Sequence, residues 1–339
     1  MSISSLPIVD LSLAENPDTA EQFRLTLREA THDVGFFYLV GHGVNPTLSA
    51  AVIEVARDFF ALPDEEKRAI ENVHSPHFRG YTRLGGELTG GRRDWREVID
   101  IGPDRDPIIP VDAAAPWEIL EGPNLWPASL PELKSILTEW NTNLTDVAMR
   151  LLRQWALALG QQPDVFDAAF AENPSTLIKV VRYPADELKS EGQGVGGHKD
   201  SGVLTLLFVE PGRGGLQVEH DGQWVDAHPV DGALIVNIGE LLEYATSGYI
   251  KATVHRVVSP RDGNERLSIP FFFNPALSAQ IPRLELPAEL AAEAAGVTED
   301  SGNAIHDTYG ANALKSRLRA HPDVAAIHHP DLIFTGEQP

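Results

Sequence analysis

His198, Asp200, His255, Arg266 and Ser268 stand in one order along the chain: an H-x-D triplet, a distant histidine, then R-x-S. Two imidazoles and a carboxylate can hold a divalent ion, and a guanidinium with a neighbouring hydroxyl can hold a carboxylate. The triplet alone carries little information, because His321-Pro322-Asp323 and His329-Pro330-Asp331 repeat it. Neither of those is followed by a further histidine and R-x-S. After His198-Lys199-Asp200, a histidine in an apolar, β-branched run comes about fifty-five residues on, and R-x-S about eleven beyond it. Arg266-Leu267-Ser268 is also the only R-x-S in the sequence. The information lies in order and spacing.

Side chains two apart in an extended segment point the same way, so His198 and Asp200 can reach one ion, and Arg266 and Ser268 can share one face of a strand. His255, in Ala252-Thr253-Val254-His255-Arg256-Val257-Val258, must come to that ion through the fold. Two His and one carboxylate on one side of an ion form the facial triad of non-heme Fe(II) oxygenases, which leaves positions open for O2 and an organic chelate. A structural site would instead be closed by protein ligands. Arg266 and Ser268 then suit the far end of a dicarboxylate whose near end chelates the metal, and a 2-oxo acid fits. Each of these residues alone is more simply a hydrogen-bonded structural residue. Burying all of them in one barrel with neither metal nor anion would strand several polar groups, at ~1–3 kcal/mol or more each.

The chain has 339 residues, a formal net charge of -22 and no cysteine. The length allows a large core. The acidity argues against nucleic acid, whose phosphates need clustered Lys and Arg. Without cysteine, any metal must sit on His, Asp and Glu. No basic segment with a following apolar run opens the sequence, and no stretch of eighteen uncharged apolar residues occurs, which predicts a soluble cytoplasmic protein with no membrane partner.

To position those residues, residues 17–72 read as largely helical around one strand, Gly35-Phe36-Phe37-Tyr38-Leu39-Val40, with Asn16-Pro17 and Pro63-Asp64-Glu65-Glu66 as helix starts. Apolar residues at helical spacing from Leu133 to Leu159 predict a long helix over about 131–160. Between these, residues 74–128 are rich in Gly, Pro and Arg and read as an irregular loop, either solvated or a substrate-facing lid, in which Tyr81, Arg92, Arg93 and Trp95 are the residues that would matter to a lid. From Thr176 short strands follow one another: 177–183, 203–209, 216–219, 223–227, 233–238, 252–258 and 267–273, with a helix at 240–247. Asp221-Gly222 marks a tight hairpin. The expectation is a mixed α/β (α+β) chain with a distorted double-stranded β-helix (jelly-roll) core buttressed by helices. It is a single catalytic domain over 1–339: a mainly helical part to 175, the jelly roll at 176–275 and a helical tail at 276–339, clearest at 312–319.

At these positions the sequence resembles the Fe(II)/2-oxoglutarate-dependent oxygenases of the isopenicillin N synthase type, over most of its length. The resemblance rests on Val34-Gly35-Phe36-Phe37-Tyr38-Leu39-Val40-Gly41-His42-Gly43-Val44, Arg182-Tyr183-Pro184, Gly197-His198-Lys199-Asp200, Gly215-Leu216-Gln217-Val218, Val236-Asn237-Ile238-Gly239-Glu240, His255-Arg256-Val257 and Arg266-Leu267-Ser268-Ile269-Pro270-Phe271-Phe272. It implies His198, Asp200 and His255 as iron ligands, Arg266 and Ser268 on the remote carboxylate of 2-oxoglutarate, and Tyr183 as a further co-substrate contact. Val181 stands where plant relatives often carry Asn, which implies fewer such contacts. The implied reaction consumes 2-oxoglutarate and O2, releases succinate and CO2, and hydroxylates a small molecule, with desaturation or cyclisation open to the same residues. Arg79, Tyr81, Leu204, Phe271 and Phe273 are the expected substrate wall. Two alternatives stand beside this reading: an oxidase of the same fold that dispenses with 2-oxoglutarate, for which Gln338 would be a metal-reaching glutamine, and a non-catalytic binder of small acids.

Overall fold

The computed structural model describes residues 5–108, 113–185, 193–260, 263–297 and 304–333. Strand β1 (Ile8–Asp10), helix α1 (Ala20–Asp33), β2 (Phe36–Val40), α2 (Pro46–Ala61) and α3 (Asp64–Ala69) come first. Then follow the short strands β3 (Gly80–Thr82), β4 (Leu88–Thr89), β5 (Arg92–Arg93) and β6 (Glu97–Ile101). Helices α4 (Glu132–Ala158) and α5 (Asp167–Phe170) lead into the strand-rich part. That part holds β7 (Leu177–Tyr183), β8 (Gln193–His198), β9 (Leu204–Val209), β10 (Leu216–His220), β11 (Gln223–Asp226), β12 (Leu234–Ile238), α6 (Glu240–Ala245), β13 (His255–Val258) and β14 (Arg266–Phe273). Helices α7 (Ala288–Glu293), α8 (Tyr309–Ala320), α9 (Pro322–His328) and α10 (Pro330–Ile333) form the tail.

The strands make an eight-stranded sheet in the order β1-β2-β12-β9-β14-β7-β6-β3, a four-stranded sheet β11-β10-β13-β8 and the small pair β4-β5. The first two are the two walls of the jelly roll. Residues 74–128 differ from the expectation of an irregular loop, because β3 and β6 extend the large sheet through β6 on β7. The strand β3 is three residues long, and in β6 Glu97 and Asp100 interrupt the apolar Val98, Ile99 and Ile101 out of phase, so neither gives a two-residue period long enough to read. The strand β8 was missed for the same reason, since Gln193-Gly194-Val195-Gly196-Gly197-His198 has a single β-branched side chain. The start of α1 also differs. Asn16 caps a turn through its side chain to the Asp18 N–H at 3.0 Å, and the helix begins four residues on at Ala20. At α2 the cap works as its sequence suggests, with the Asn45 side chain accepting from the Thr47 N–H at 2.9 Å and Pro46 in the first turn.

Strand alternation separates two cores. On β14, Leu267, Ile269, Phe271 and Phe273 join Leu204 and Leu206 of β9, Ile178 and Val180 of β7, and Trp140, Leu144 and Trp155 of α4 in the larger core. The long helix covers this outer face of the sheet, and Phe37 meets Trp155 edge-on at 6.1 Å. The opposite rows, including Val181, Val209, Val195 and Val218, fill the space between the two sheets. The turn between β10 and β11 is a two-residue hairpin, with His220 opposite Gln223 and both Asp221 (φ 51°) and Gly222 (φ 73°) left-handed, as twisted antiparallel strands require. Among the described residues no helix is long and apolar enough to cross a membrane.

Candidate active site

His198 ends β8 and His255 starts β13, and the two face each other across an antiparallel ladder, their rings 4.3 Å apart. Asp200 follows β8 in the loop to β9. Its Oδ1 lies 3.6 Å from His198 Nε2 and 3.8 Å from His255 Nε2, and all three ligand atoms fall within 4.8 Å of one another. Each remaining polar atom is engaged elsewhere. His198 Nδ1 donates to the Gly196 carbonyl at 2.8 Å and His255 Nδ1 to the Thr253 carbonyl at 3.1 Å, which fixes both tautomers with a lone pair on Nε2. Asp200 Oδ2 accepts from Thr205 Oγ1 at 2.5 Å and Asn237 Nδ2 at 2.8 Å, leaving Oδ1 for the ion. Burial, then the His198 imidazole, pushes the His255 pKa down to about 4, so its ring is neutral and able to ligate. Burial raises the Asp200 pKa, but His255, His198 and the two hydrogen bonds outweigh it and hold the carboxyl below its ordinary value. The donor set fits a divalent ion with open positions. Among the described residues it is the one cluster of three such groups close enough to share a metal.

Arg266 is 1% exposed. Its Nη1 donates to Ser268 Oγ at 3.1 Å, its guanidinium lies 4.9 Å over the Tyr183 ring, and Nε is buried without a hydrogen-bond partner. Burial pulls its pKa down, opposed by Tyr183 and then by the charge of Glu210, yet no carboxylate among the described residues forms an ion pair with it. A buried cation with an unused donor fits an anionic ligand. Val181 lies opposite Ser268 in the β7–β14 ladder and offers no polar atom there.

A cavity of about 630 Å³ opens on His198 and Asp200 of the triad. Its walls include His198 and Asp200, Glu87 to Gly90 around β4, Arg96, Lys179 of β7, Glu240 of α6, Asn274, and Tyr309 and Arg317 of α8. Behind it lies a buried charge network: Lys179 Nζ meets Glu87 Oε1 and Asp100 Oδ1 at 2.9 Å each, Arg317 Nη1 meets Asp100 Oδ2 at 2.6 Å, and Arg96 Nη2 meets Glu87 Oε2 at 2.9 Å. Glu240 is buried at 7% exposure, and burial pushes its carboxyl up to about 7 against the opposing charges of Lys199 and Lys315.

The structure thus brings His198, Asp200 and His255 together and seats Arg266, Ser268 and Tyr183 on neighbouring strands. Arg79, Tyr81, Leu204, Phe271 and Phe273 are not among the residues lining this cavity. Leu204, Phe271 and Phe273 sit on the outer strand phase under the helices, where Phe273 stacks on Phe170 at 4.4 Å, while Phe272, one residue out of phase, reaches the cavity. Tyr81 donates to Glu97 Oε2 at 2.7 Å within the helix-side core, and Arg79 donates to the Leu120 carbonyl at 3.3 Å. Arg92 and Arg93 are exposed, and the cation of that loop reaching the cavity is Arg96. Sequence reasoning also missed Thr205, Lys179 and Arg317. A lysine inside the apolar run Leu177-Ile178-Lys179-Val180-Val181 was a readable signal; a surface-type arginine on a tail helix was not. Of the decoy triplets, His321 is locked between Glu87, Asp100 and Asn72, and His329 Nε2 donates to the Pro76 carbonyl at 2.6 Å. Gln338 lies outside the described residues.

Residues 175–275 match the model of the 2OG-Fe(II) oxygenase superfamily, and residues 6–129 match that of the non-haem dioxygenase in morphine synthesis N-terminal family. The chain is 37% identical to the 2-oxoglutarate-dependent dioxygenase frbJ of Dothideomycetidae sp. (strain 11243), over 96% of this chain and 92% of that protein. It is 33% identical to the homoarginine-6-hydroxylase 2-ODD-C23.1 of Arabidopsis thaliana, over 83% and 88%. Among solved structures, JOX2 in complex with 2OG, Fe and JA superposes with a TM-score of 0.73 at 28% identity, covering 92% of this chain and 85% of that one. With an inward-facing His-Asp-His cluster on a jelly roll and relatives of this identity along nearly its whole length, the chain belongs to the 2OG-Fe(II) oxygenase superfamily and is an Fe(II)- and 2-oxoglutarate-dependent dioxygenase that uses O2.

Proposed function

We propose that His198 Nε2, Asp200 Oδ1 and His255 Nε2 hold the Fe(II), that Arg266, Ser268 and Tyr183 hold the distal carboxylate of 2-oxoglutarate, and that the cavity of about 630 Å³ receives a small molecule for hydroxylation. The observation that carries this is the convergence of three ligand atoms whose other polar atoms are all committed to the protein. Bound Fe(II) supplies O2 activation coupled to oxidative decarboxylation of 2-oxoglutarate, so that substrate, 2-oxoglutarate and O2 give hydroxylated product, succinate and CO2.

The chain's own residues do the rest. The Gly196 and Thr253 carbonyls and the Thr205 and Asn237 donors orient the three ligands before metal arrives. Arg266 neutralises one charge of the co-substrate and fixes its direction through paired donors, while Ser268 and Tyr183 limit its rotation. Glu87, Arg96, Lys179 and Arg317 line the cavity, and their ion pairs with one another and with Asp100 behind them make one wall of it polar. Of the 74–128 segment, the β4–β5 end faces the cavity and is the part suited to act as a lid. Relatives named for homoarginine support an amino acid as one substrate class. Succinate formed in step with substrate oxidation is the expected result. Product formed without succinate would favour the oxidase that dispenses with 2-oxoglutarate.

A further inference from the structure

Of the acids lining the cavity, Asp200 belongs to the metal cluster and Glu87 is held by Arg96 and Lys179. Glu240 differs: its side chain is more than nine-tenths buried, it lines the cavity, and its carboxylate makes no hydrogen bond or ion pair among the described residues. The cations nearest in charge to it are committed elsewhere. Lys199 Nζ reaches both oxygens of Glu243 at 3.2 and 3.3 Å, and Lys315 Nζ donates to the Ala304 carbonyl at 2.5 Å. The backbone at Glu240 is fixed beside the metal loop, with its N–H donating to the Asp200 carbonyl at 2.8 Å and the Leu241 N–H to the Gly202 carbonyl at 3.0 Å. Gly239 makes that approach possible, since a Cβ there would lie 2.1 Å from the Gly202 carbonyl oxygen. A carboxylate so placed is costly unless a charge or several donors meet it directly; the charges of Lys199 and Lys315 act on it only from a distance, and no described donor bonds it.

We propose that Glu240 receives a cationic nitrogen group of the substrate, an ammonium or guanidinium, beside the metal centre. This deepens the function proposed above and rests on its reading of the cavity as the substrate site. The pairing offsets the desolvation of both charges and places carbons near that nitrogen next to the open metal positions, so Glu240 is a specificity-determining residue.

The test is isothermal titration of the full chain, loaded anaerobically with Fe(II) and 2-oxoglutarate, using two matched pairs: L-arginine against L-citrulline, and L-lysine against L-norleucine. In at least one pair the cation should bind about tenfold or more tighter than its neutral isostere. Glu240→Gln should reduce that preference to within about twofold while its affinity for 2-oxoglutarate stays unchanged, and Glu240→Asp should retain part of it. Equal affinities within both pairs, or a preference that survives in Glu240→Gln, would overturn the proposal. The comparison of isosteres on the unmodified chain stands even where a variant fails to fold. Failure of the unmodified chain to bind 2-oxoglutarate would overturn the oxygenase reading and this proposal with it.

Discussion

At the scale of single residues, the site depends on atoms that never touch a ligand. Asn237 Nδ2 and Thr205 Oγ1 hold Asp200 Oδ2, so Asn237→Ala should weaken Fe(II) binding by about 10- to 100-fold with little change in fold. Titration with Fe(II) monitored by tryptophan fluorescence checks this, and an unchanged affinity would remove Asn237 from the site. Arg266 is a buried cation with an unused Nε on the face it shares with Ser268, and lysine cannot reproduce its paired donors. Arg266→Lys should raise the KM for 2-oxoglutarate by about ten- to hundredfold, with a smaller effect on the affinity for Fe(II). Equal losses in both would point to a structural role instead.

At the scale of elements, the buried charge network ties β6, β7 and α8 together behind the cavity. Glu87 and Asp100 are opposed by burial, but Arg96 and Lys179 on the one, and Lys179 and Arg317 on the other, bring both carboxyl groups below their ordinary values. A depressed pKa contributes stability that is present above the unfolded value and is lost as pH falls through the folded one. The metal-free protein should therefore lose stability below about pH 4, and Asp100→Asn should lose about 3 kcal/mol at neutral pH and show a flatter acid limb. Denaturant midpoints across pH check this, and a parallel acid limb in the variant would count against it. Of this network only Lys179, set in an apolar run, left a signal in the sequence; Glu87, Arg96, Asp100 and Arg317 each look like a surface charge, and the fold alone brings residues 87–100, 179 and 317 together. What was legible had a local signal. The α4 stripe from Leu133 to Leu159 and the β-branched runs of β7, β9 and β12 fixed those elements nearly to the residue, and order and spacing picked out the triad. Failures came where the period was too short, as at β3 and β8, or where the strand was right and its phase was not. On β14, Arg266 and Ser268 point inward, so Phe272 and not Phe271 or Phe273 shares their face.

At the scale of the whole molecule, β2 of the first part pairs with β12, and β6 with β7, so the N-terminal third supplies strands to the same sheet that carries Thr205, Ser268 and Arg266. Such shared sheets argue for one cooperative unit, and denaturant unfolding followed by near- and far-ultraviolet circular dichroism should give one coincident transition. Two separated transitions would mean that the first part folds independently. The eight-stranded sheet carries Arg266 and Ser268 and the four-stranded sheet carries His198 and His255, so the barrel encloses both proposed half-sites, one for a metal and one for a carboxylate, which a single chelate would use together. Anaerobic titration with Fe(II) and 2-oxoglutarate tests that directly. A weak visible charge-transfer band is expected with the unmodified protein, lost in His255→Ala and shifted to higher 2-oxoglutarate concentration in Arg266→Lys. No band with the unmodified protein, or an identical band in His255→Ala, would contradict it.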